Sequence, residues 1–475
     1  MTGRKISIQD SEIMSEETKI CKVSDGKAAD SCQTVPDQIL LPDSHPAFRE
    51  YPSRLFVELT TRCNLSCQMC VKQSWGNSIE EGDMSRETFL KLSPAFPHLE
   101  GLLLNGIGES LLHPRLEEFI GIAKELMPSG SWVGFQSNGL LLDEARAVSL
   151  LDAGLDRICL SLDAICPETF RKIREGGEVD DLAQAFNALA TARKLRPESR
   201  ISVGVEFVLM QDNMHQLPEV LRWSASRGAD FAIVSHLLPY DAEHVSQAAY
   251  DSNTEQAIQL FREWQQKADA QGIDMTDYFY IYCCKYKRTE EEERMVAFVH
   301  EMMEDARSKD IFLHVKNLLA MDGEKIERVA RIFEDARKVA EECGLELKLP
   351  GVSPKSDRRC DFIEGGGAFV SWNGEVHPCY FLWHRFICYF SGRKKYVANK
   401  VFGNVTDKGI FEVWNDPAYV SFRAEVLRHE YPFCSNCNLL PCEYIYCEEF
   451  EQDCYTTTVP CGDCFWCLGL FNCMQ

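Results

Sequence analysis

The chain has 475 residues, 45% hydrophobic and 26% charged, with 50 Lys and Arg against 73 Asp and Glu for a formal net charge of −23. That length predicts roughly two to four domains, and the acidic balance argues against a nucleic-acid footprint. No apolar run is long enough to predict a membrane span, and the start, MTGRKISIQDSEIMSEE, lacks the apolar core of a secretory signal, so a cytoplasmic location is expected. In that setting the 22 cysteines point to metal binding or catalysis rather than to disulfides.

Residues 1–50 are polar, with little periodicity, and predict an N-terminal extension carrying Cys21 and Cys32. Over 51–240 short apolar runs alternate with amphipathic segments. Strands are predicted at 54–59, 101–104, 131–136, 157–162, 201–209 and 230–235, and helices at 114–127, 143–153, 180–194 and 216–227. Gly154 and Gly228 stand where helices should stop. This rhythm predicts an α/β fold with a parallel sheet: a partial (β/α)6 barrel of the TIM type, with an open doubly wound sheet as the alternative. In either case the site belongs at the carboxyl ends of the strands. Residues 241–323 read as a charged helical insertion with solvated faces, in which Cys283 and Cys284 are core or surface thiols rather than ligands. Residues 324–355 supply a last barrel helix and a linker, and 356–475 a cysteine-rich domain.

The first strand runs directly into TTRCNLSCQMC, which spaces Cys63, Cys67 and Cys70 as C-x3-C-x2-C. Three thiolates on one loop can hold three irons of a cubane and leave the fourth open. A structural zinc prefers four protein ligands, and the loop offers no fourth. The second strand ends in NGIGE, where Gly106 and Gly108 let backbone approach a ligand and Glu109 suits an ammonium group. The third and fourth strands place Ser137, Asn138, Ser161 and Asp163 at the rim. Asp163 also reads as a helix cap ahead of Pro167, and His236 reads either as a cavity residue or as a satisfied structural histidine.

Over about residues 52–240 these motifs resemble the radical S-adenosylmethionine (SAM) superfamily. The resemblance implies a [4Fe–4S] cluster on Cys63, Cys67 and Cys70 whose open iron chelates SAM's methionine, with reductive cleavage to a 5′-deoxyadenosyl radical that abstracts hydrogen from a substrate. It further implies that Gly106, Gly108 and Glu109 meet the SAM amino group, with Ile107 where glycine is common. Ser137, Asn138, Ser161 and Asp163 would meet the ribose or carboxylate, while Met69 and the backbone of 208–210 would lie against adenine.

In the C-terminal region Cys360 and Cys379 flank FVSWNGEVHP, which reads as a hairpin turning at Asn-Gly and bringing the two together. Cys434, Cys437, Cys442, Cys447, Cys454, Cys461, Cys464, Cys467 and Cys473 follow. Two fully ligated cubanes use eight thiolates, and twelve are present counting Cys388, which leaves a spare, a third cluster or a zinc open. The C-x13-G-x4-C entry resembles a SPASM auxiliary-cluster domain, although C-x2-C-x4-C-x4-C replaces that family's C-x2-C-x5-C-x3-C. The run FVSWNGEVHPCYFLWH, the FGNV block and the ending DCYTTTVPCGDCFWCLGLFNC resemble the radical SAM maturases associated with tungsten-containing aldehyde oxidoreductases. The resemblance implies one or two auxiliary [4Fe–4S] clusters, a reducing partner such as ferredoxin or flavodoxin, and action on a tungstopterin or its host enzyme. A peptide-modifying SPASM enzyme and a non-catalytic iron–sulfur carrier or zinc scaffold stand beside this reading.

Overall fold

A computed structural model describes residues 45–73, 79–434, 437, 442, 448 and 450–474; most of the expected N-terminal extension, with Cys21 and Cys32, and Cys447 lie outside these. The short apolar runs form β1 (Arg54–Val57), β2 (Gly101–Leu103), β3 (Trp132–Ser137), β4 (Arg157–Ser161), β5 (Ser202–Leu209), β6 (Phe231–His236) and β7 (Glu346–Lys348). They pair in chain order, all parallel. An order without reversal comes from winding in one sense, whereas a doubly wound sheet reverses at a switch point. The partial barrel holds and the doubly wound alternative falls. A seventh strand, β7, follows the helix Gly323–Cys343.

The C-terminal region then returns to this sheet. Strand β8 (Gly367–Val370) pairs in parallel with the free edge of β1, β9 (Glu375–His377) pairs antiparallel with β8, and β12 (Gly403–Asn404) with β9. The hairpin of β10 (Phe386–Phe390) and β11 (Arg393–Val397) stands apart. The sheet thus has ten strands, with β12 and β7 at its two edges. At the β8–β9 turn Gly374 takes φ 88° and donates to the Ser371 carbonyl at 2.8 Å, as the Asn-Gly signal predicts.

Helices fall where the periodicity puts them: Leu116–Leu126, Glu144–Asp152, Val179–Leu195 and Leu217–Ala225. Asp143 caps one by accepting from the Arg146 amide at 2.7 Å, and Gly154 and Gly228 end two of them with φ 94° and 90°. Strand alternation sends Leu55, Val57, Leu102, Leu104, Ile158 and Leu160 outward to the helices. The opposite parity, Phe56, Leu103, Cys159 and Ile233, faces inward and packs in one core with Cys360, Phe369, Tyr380, Cys464 and Phe465. The cysteine-rich region therefore fills the concave face that the helices leave open. The insertion has its own core, including Phe261, Trp264, Phe298 and Met302. A capping box of Thr289 and Glu292 opens its helix Glu290–Ser308, so the EEEE run serves a helix start. No described helix is long and apolar enough to cross a membrane.

Inward packing is tight at the amino ends of the strands. A Cβ on Gly204 would stand 2.1 Å from the Phe231 ring, whereas one on Gly121, in the helix Leu116–Leu126, would meet nothing within 4 Å. Gly204→Ala is expected to lower stability by about 1–3 kcal/mol through overpacking, and Gly121→Ala to raise it by about 0.4–1 kcal/mol. Thermal unfolding of the two variants checks this; a Gly204→Ala chain as stable as the parent would refute the packing.

Candidate active site

The loop after β1 is held from two sides and by a contact across itself. The Ser66 and Gln68 amides donate to the carbonyls of Glu175 (3.0 Å) and Ile173 (3.1 Å), beside the helix Pro167–Ile173 that follows β4. The Glu109 amide, after β2, donates to Arg62 at 2.8 Å, and Lys72 donates to the Thr61 carbonyl at 2.5 Å. Within the loop the Cys70 amide donates to Cys67 at 3.0 Å. Cys63, Cys67 and Cys70 are all half-buried. Burial holds each thiol above its ordinary value, and Cys70 is pushed up to about 11. Thiols this dry give up their protons to a metal rather than to water.

Two cationic or amide donors reach these sulfurs. Asn138 Nδ2 lies 4.0 Å from Cys63 Sγ and donates to Asn64 Oδ1 at 2.8 Å, while Arg174 Nη1 lies 3.9 Å from Cys67 Sγ. Arg174 also pairs through Nε with the buried Asp163 at 2.6 Å. The other Asp163 oxygen accepts from the Val208 amide at 2.7 Å. Asp163 is not a helix cap: Cys166 occupies that position ahead of Pro167.

Glycine is required at the second strand end because the chain itself fills the space. A Cβ on Gly108 would lie 2.3 Å from the Thr60 carbonyl oxygen, and one on Gly106 would lie 2.3 Å from Glu58 Cγ. Glu109 is buried and accepts from Ser137 Oγ (2.8 Å), the Asn138 amide (2.8 Å) and the Leu111 amide (3.0 Å). Burial raises its carboxyl, against these hydrogen bonds. Gly108, Glu109, Ser137, Asn138 and the cluster loop thus form one connected rim. Ser161, half-buried, ends β4. Met69 and Val208 pack against the cluster of Ile173, Met210 and Leu237 at the end of β5. His236 is a buried structural residue: its Nε2 is 2.8 Å from the Gly351 carbonyl, its ring meets Tyr250 and Phe333, and burial lowers it to about 4.

Inward-facing polar residues that the sequence reading passed over form a second group. Tyr380 OH donates to Asn105 Oδ1 (2.6 Å), Asn105 Nδ2 to Gln136 Oε1 (2.5 Å), and Gln136 Nε2 to Glu206 Oε2 (2.8 Å). Gln136 on β3 meets Glu206 on β5 across β4, which requires the sheet to be concave here. Glu58, fully buried, accepts from the Ile107 amide at 3.1 Å and stands 3.1 Å from His384 Nε2. Tyr380 and His384 follow Cys379, so the cysteine-rich region supplies part of this lining. A polar residue inside an apolar strand, as in FVELT, GFQSN and GVEFV, was the available signal.

The C-terminal thiols separate into two groups. Cys360, Cys461, Cys464 and Cys467 interact with one another, and Cys379 interacts with Cys464, Cys360 and Cys461. Cys454 feels Cys437 and Cys442, and Cys434 feels Cys454. Cys473 accepts from Trp466 Nε1 at 2.7 Å, and Cys388 is buried on β10. Cys283 and Cys284 are exposed on the insertion. Among the described residues no three His, Cys, Asp or Glu side chains converge as the ligands of one ion would. The soft donor set fits iron–sulfur clusters, as does the buried Arg358 Nε, which has no hydrogen-bond partner among the described residues.

Comparison with known proteins agrees with this donor set. A family model for the radical SAM superfamily matches residues 57–224, and one for the SPASM iron–sulfur cluster-binding domain matches 360–438. The chain is 30% identical over 424 residues, 88% of its own length and 96% of the relative's, to the tungsten-containing aldehyde ferredoxin oxidoreductase cofactor-modifying protein of Pyrococcus furiosus. It is 30% identical over 195 residues, 39% of its length and 59% of the relative's, to a probable GTP 3′,8-cyclase of Methanococcus maripaludis. Among solved structures, Streptococcus suis SuiB bound to SAM matches with a TM-score of 0.46 at 12% identity, covering 79% of this chain and 68% of that one.

The interior carboxyl makes a pH prediction. Burial raises Glu206 from an ordinary 4.5 to about 7, against the pull of Arg174. Between those values the folded chain keeps a proton that the unfolded chain has released, so this group's contribution to stability falls as pH rises through the window. Glu206→Gln is expected to flatten that slope, read as the thermal midpoint of anaerobically purified protein against pH. An unchanged slope in the variant would contradict the assignment.

Proposed function

This chain belongs to the radical SAM superfamily, in the branch with a SPASM iron–sulfur domain, and to the family of the tungsten oxidoreductase cofactor-modifying protein; on that footing we propose that it is a maturase acting on a tungstopterin cofactor or its host aldehyde oxidoreductase. The family supports an enzyme that uses SAM and iron–sulfur clusters. The observation that carries the enzyme reading is the meeting of the three-cysteine loop with polar strand ends at the carboxyl side of the sheet, capped by residues of the cysteine-rich region, and the likeness to the cofactor-modifying protein carries the choice of target.

Cys63, Cys67 and Cys70 would hold three irons of a cubane. With SAM bound, such a cluster would supply the electron for reductive cleavage of the sulfonium. Around it, Met69, Val208 and Met210 form an apolar surface suited to adenine, and the Gly106–Glu109 turn with Ser137, Asn138 and Ser161 forms the polar rim suited to the methionine and ribose ends. The Asp163–Arg174 pair fixes the β4–β5 rim beside Cys67. The Tyr380–Asn105–Gln136–Glu206 chain lines the interior, where a substrate polar edge would be oriented and water excluded. In the C-terminal region, four of Cys360, Cys379, Cys461, Cys464 and Cys467 would serve one auxiliary cluster, and Cys434, Cys437, Cys442 and Cys454 a second, with ferredoxin or flavodoxin as the electron source.

Two experiments test this. Anaerobically reconstituted protein with dithionite is expected to form 5′-deoxyadenosine from SAM, and Cys67→Ala to form none above background. Equal product from both would leave an electron carrier or scaffold as the better reading. A tungsten aldehyde oxidoreductase expressed with and without this chain is expected to be active only with it. Equal activity in both cultures, with SAM cleavage intact, would turn the proposal toward a peptide substrate.

A further inference from the structure

Arg358 is 5% exposed and lies two residues before Cys360. Its guanidinium donates to the carbonyls of Pro432 (2.8 Å), Gly462 (3.1 Å) and Tyr431, and stacks 4.0 Å from the centre of the Phe433 ring. One cation therefore ties together the segment that leads into Cys360, the segment that leads into Cys434, and the segment of Cys461 and Cys464. Those last two segments touch, since a Cβ on Gly462 would stand 2.8 Å from Cys434 Sγ.

Arg174 has Asp163 and the buried Lys395 has Asp463. Arg423, buried without a carboxylate, places all three of its nitrogens on backbone carbonyls. Among the described residues Arg358 has neither: no carboxylate pairs with it, and its buried Nε has no partner. An unpaired buried cation is costly and needs an anion. A cubane bound by four thiolates is that anion, because its net charge is negative. Gly462 lies between Cys461 and Cys464 of one thiol group and Pro432 precedes Cys434 of the other, so the guanidinium stands between the two.

We propose that Arg358 is the shared countercharge of two auxiliary clusters, holding both cysteine groups together and raising the reduction potential of each. The inference rests on the auxiliary clusters proposed above. A fixed positive charge favours the more negative, reduced form of a neighbouring cluster, and a dry site does little to screen it.

The test uses the full chain with Cys63, Cys67 and Cys70 replaced by alanine, so that electron paramagnetic resonance reports the auxiliary clusters alone. Iron and sulfide per chain are measured first, then a dithionite redox titration of the one-electron couples. In that background Arg358→Gln is expected to lower the midpoint potentials of both clusters, while Arg358→Lys, which keeps the charge, holds them near the parent's. Full iron with unshifted potentials in Arg358→Gln would overturn the proposal. If Arg358→Gln does not load, Arg358→Lys decides: normal loading and potentials support the countercharge, and loss of iron equal to that of Arg358→Gln assigns a merely structural role and overturns it. No iron in the parent background would overturn the auxiliary clusters themselves, and with them this inference.

Discussion

The pairing of β8 with β1 is the contact on which the candidate active site depends. Four residues of each strand lie in register, from Arg54 opposite Gly367 to Val57 opposite Val370. With β2 on its other edge, β1 is held on both sides, so the cysteine loop leaves a fixed strand end. The same pairing sends Phe369 to the concave face and Ala368 and Val370 to the helix face. A slip of one residue would reverse that choice and carry Cys360 and Cys379 away from the rim. Because β9 folds back along β8, the segment after Cys379 arrives over the strand ends, with Tyr380 at Asn105 and His384 at Glu58. The cysteine-rich region is separate along the chain but continuous with the barrel in hydrogen bonding.

The repeating elements were legible because their signals are local. Apolar runs, helical periodicity and Gly154 and Gly228 act over a few residues, and the strand order follows from one-sense winding. The cysteine spacing was legible for the same reason: ligands on one loop must be close in sequence. The lining of the barrel was not. Glu58 finds Ile107 and His384 across 49 and 326 residues, and Gln136 finds Glu206 across 70. A polar residue in an apolar strand announces that a partner exists without naming it. The Gly106 and Gly108 reading shows the converse. The residue type was identified, but the pressure for it comes from Glu58 and the Thr60 carbonyl, which occupy the space a side chain would take.

The electrostatics of the two thiol regions differ in kind, and the difference bears on the chemistry each can support. Beside the loop, Arg174 approaches Cys67 already neutralised by Asp163, so the pair orients the rim while adding little net charge. Beside the C-terminal groups, Arg358 has no such carboxylate among the described residues. A net positive charge makes a cluster easier to reduce and a weaker donor. A site that must pass an electron to a sulfonium needs a strong donor, so a neutral ion pair suits it and a bare cation would oppose it. A site that receives electrons, or only holds structure, tolerates the bare cation well. The placement of Asp163, two residues beyond Ser161 at the end of β4, is what separates these cases: without that carboxylate the guanidinium nearest Cys67 would act on the loop as Arg358 acts on the C-terminal thiols.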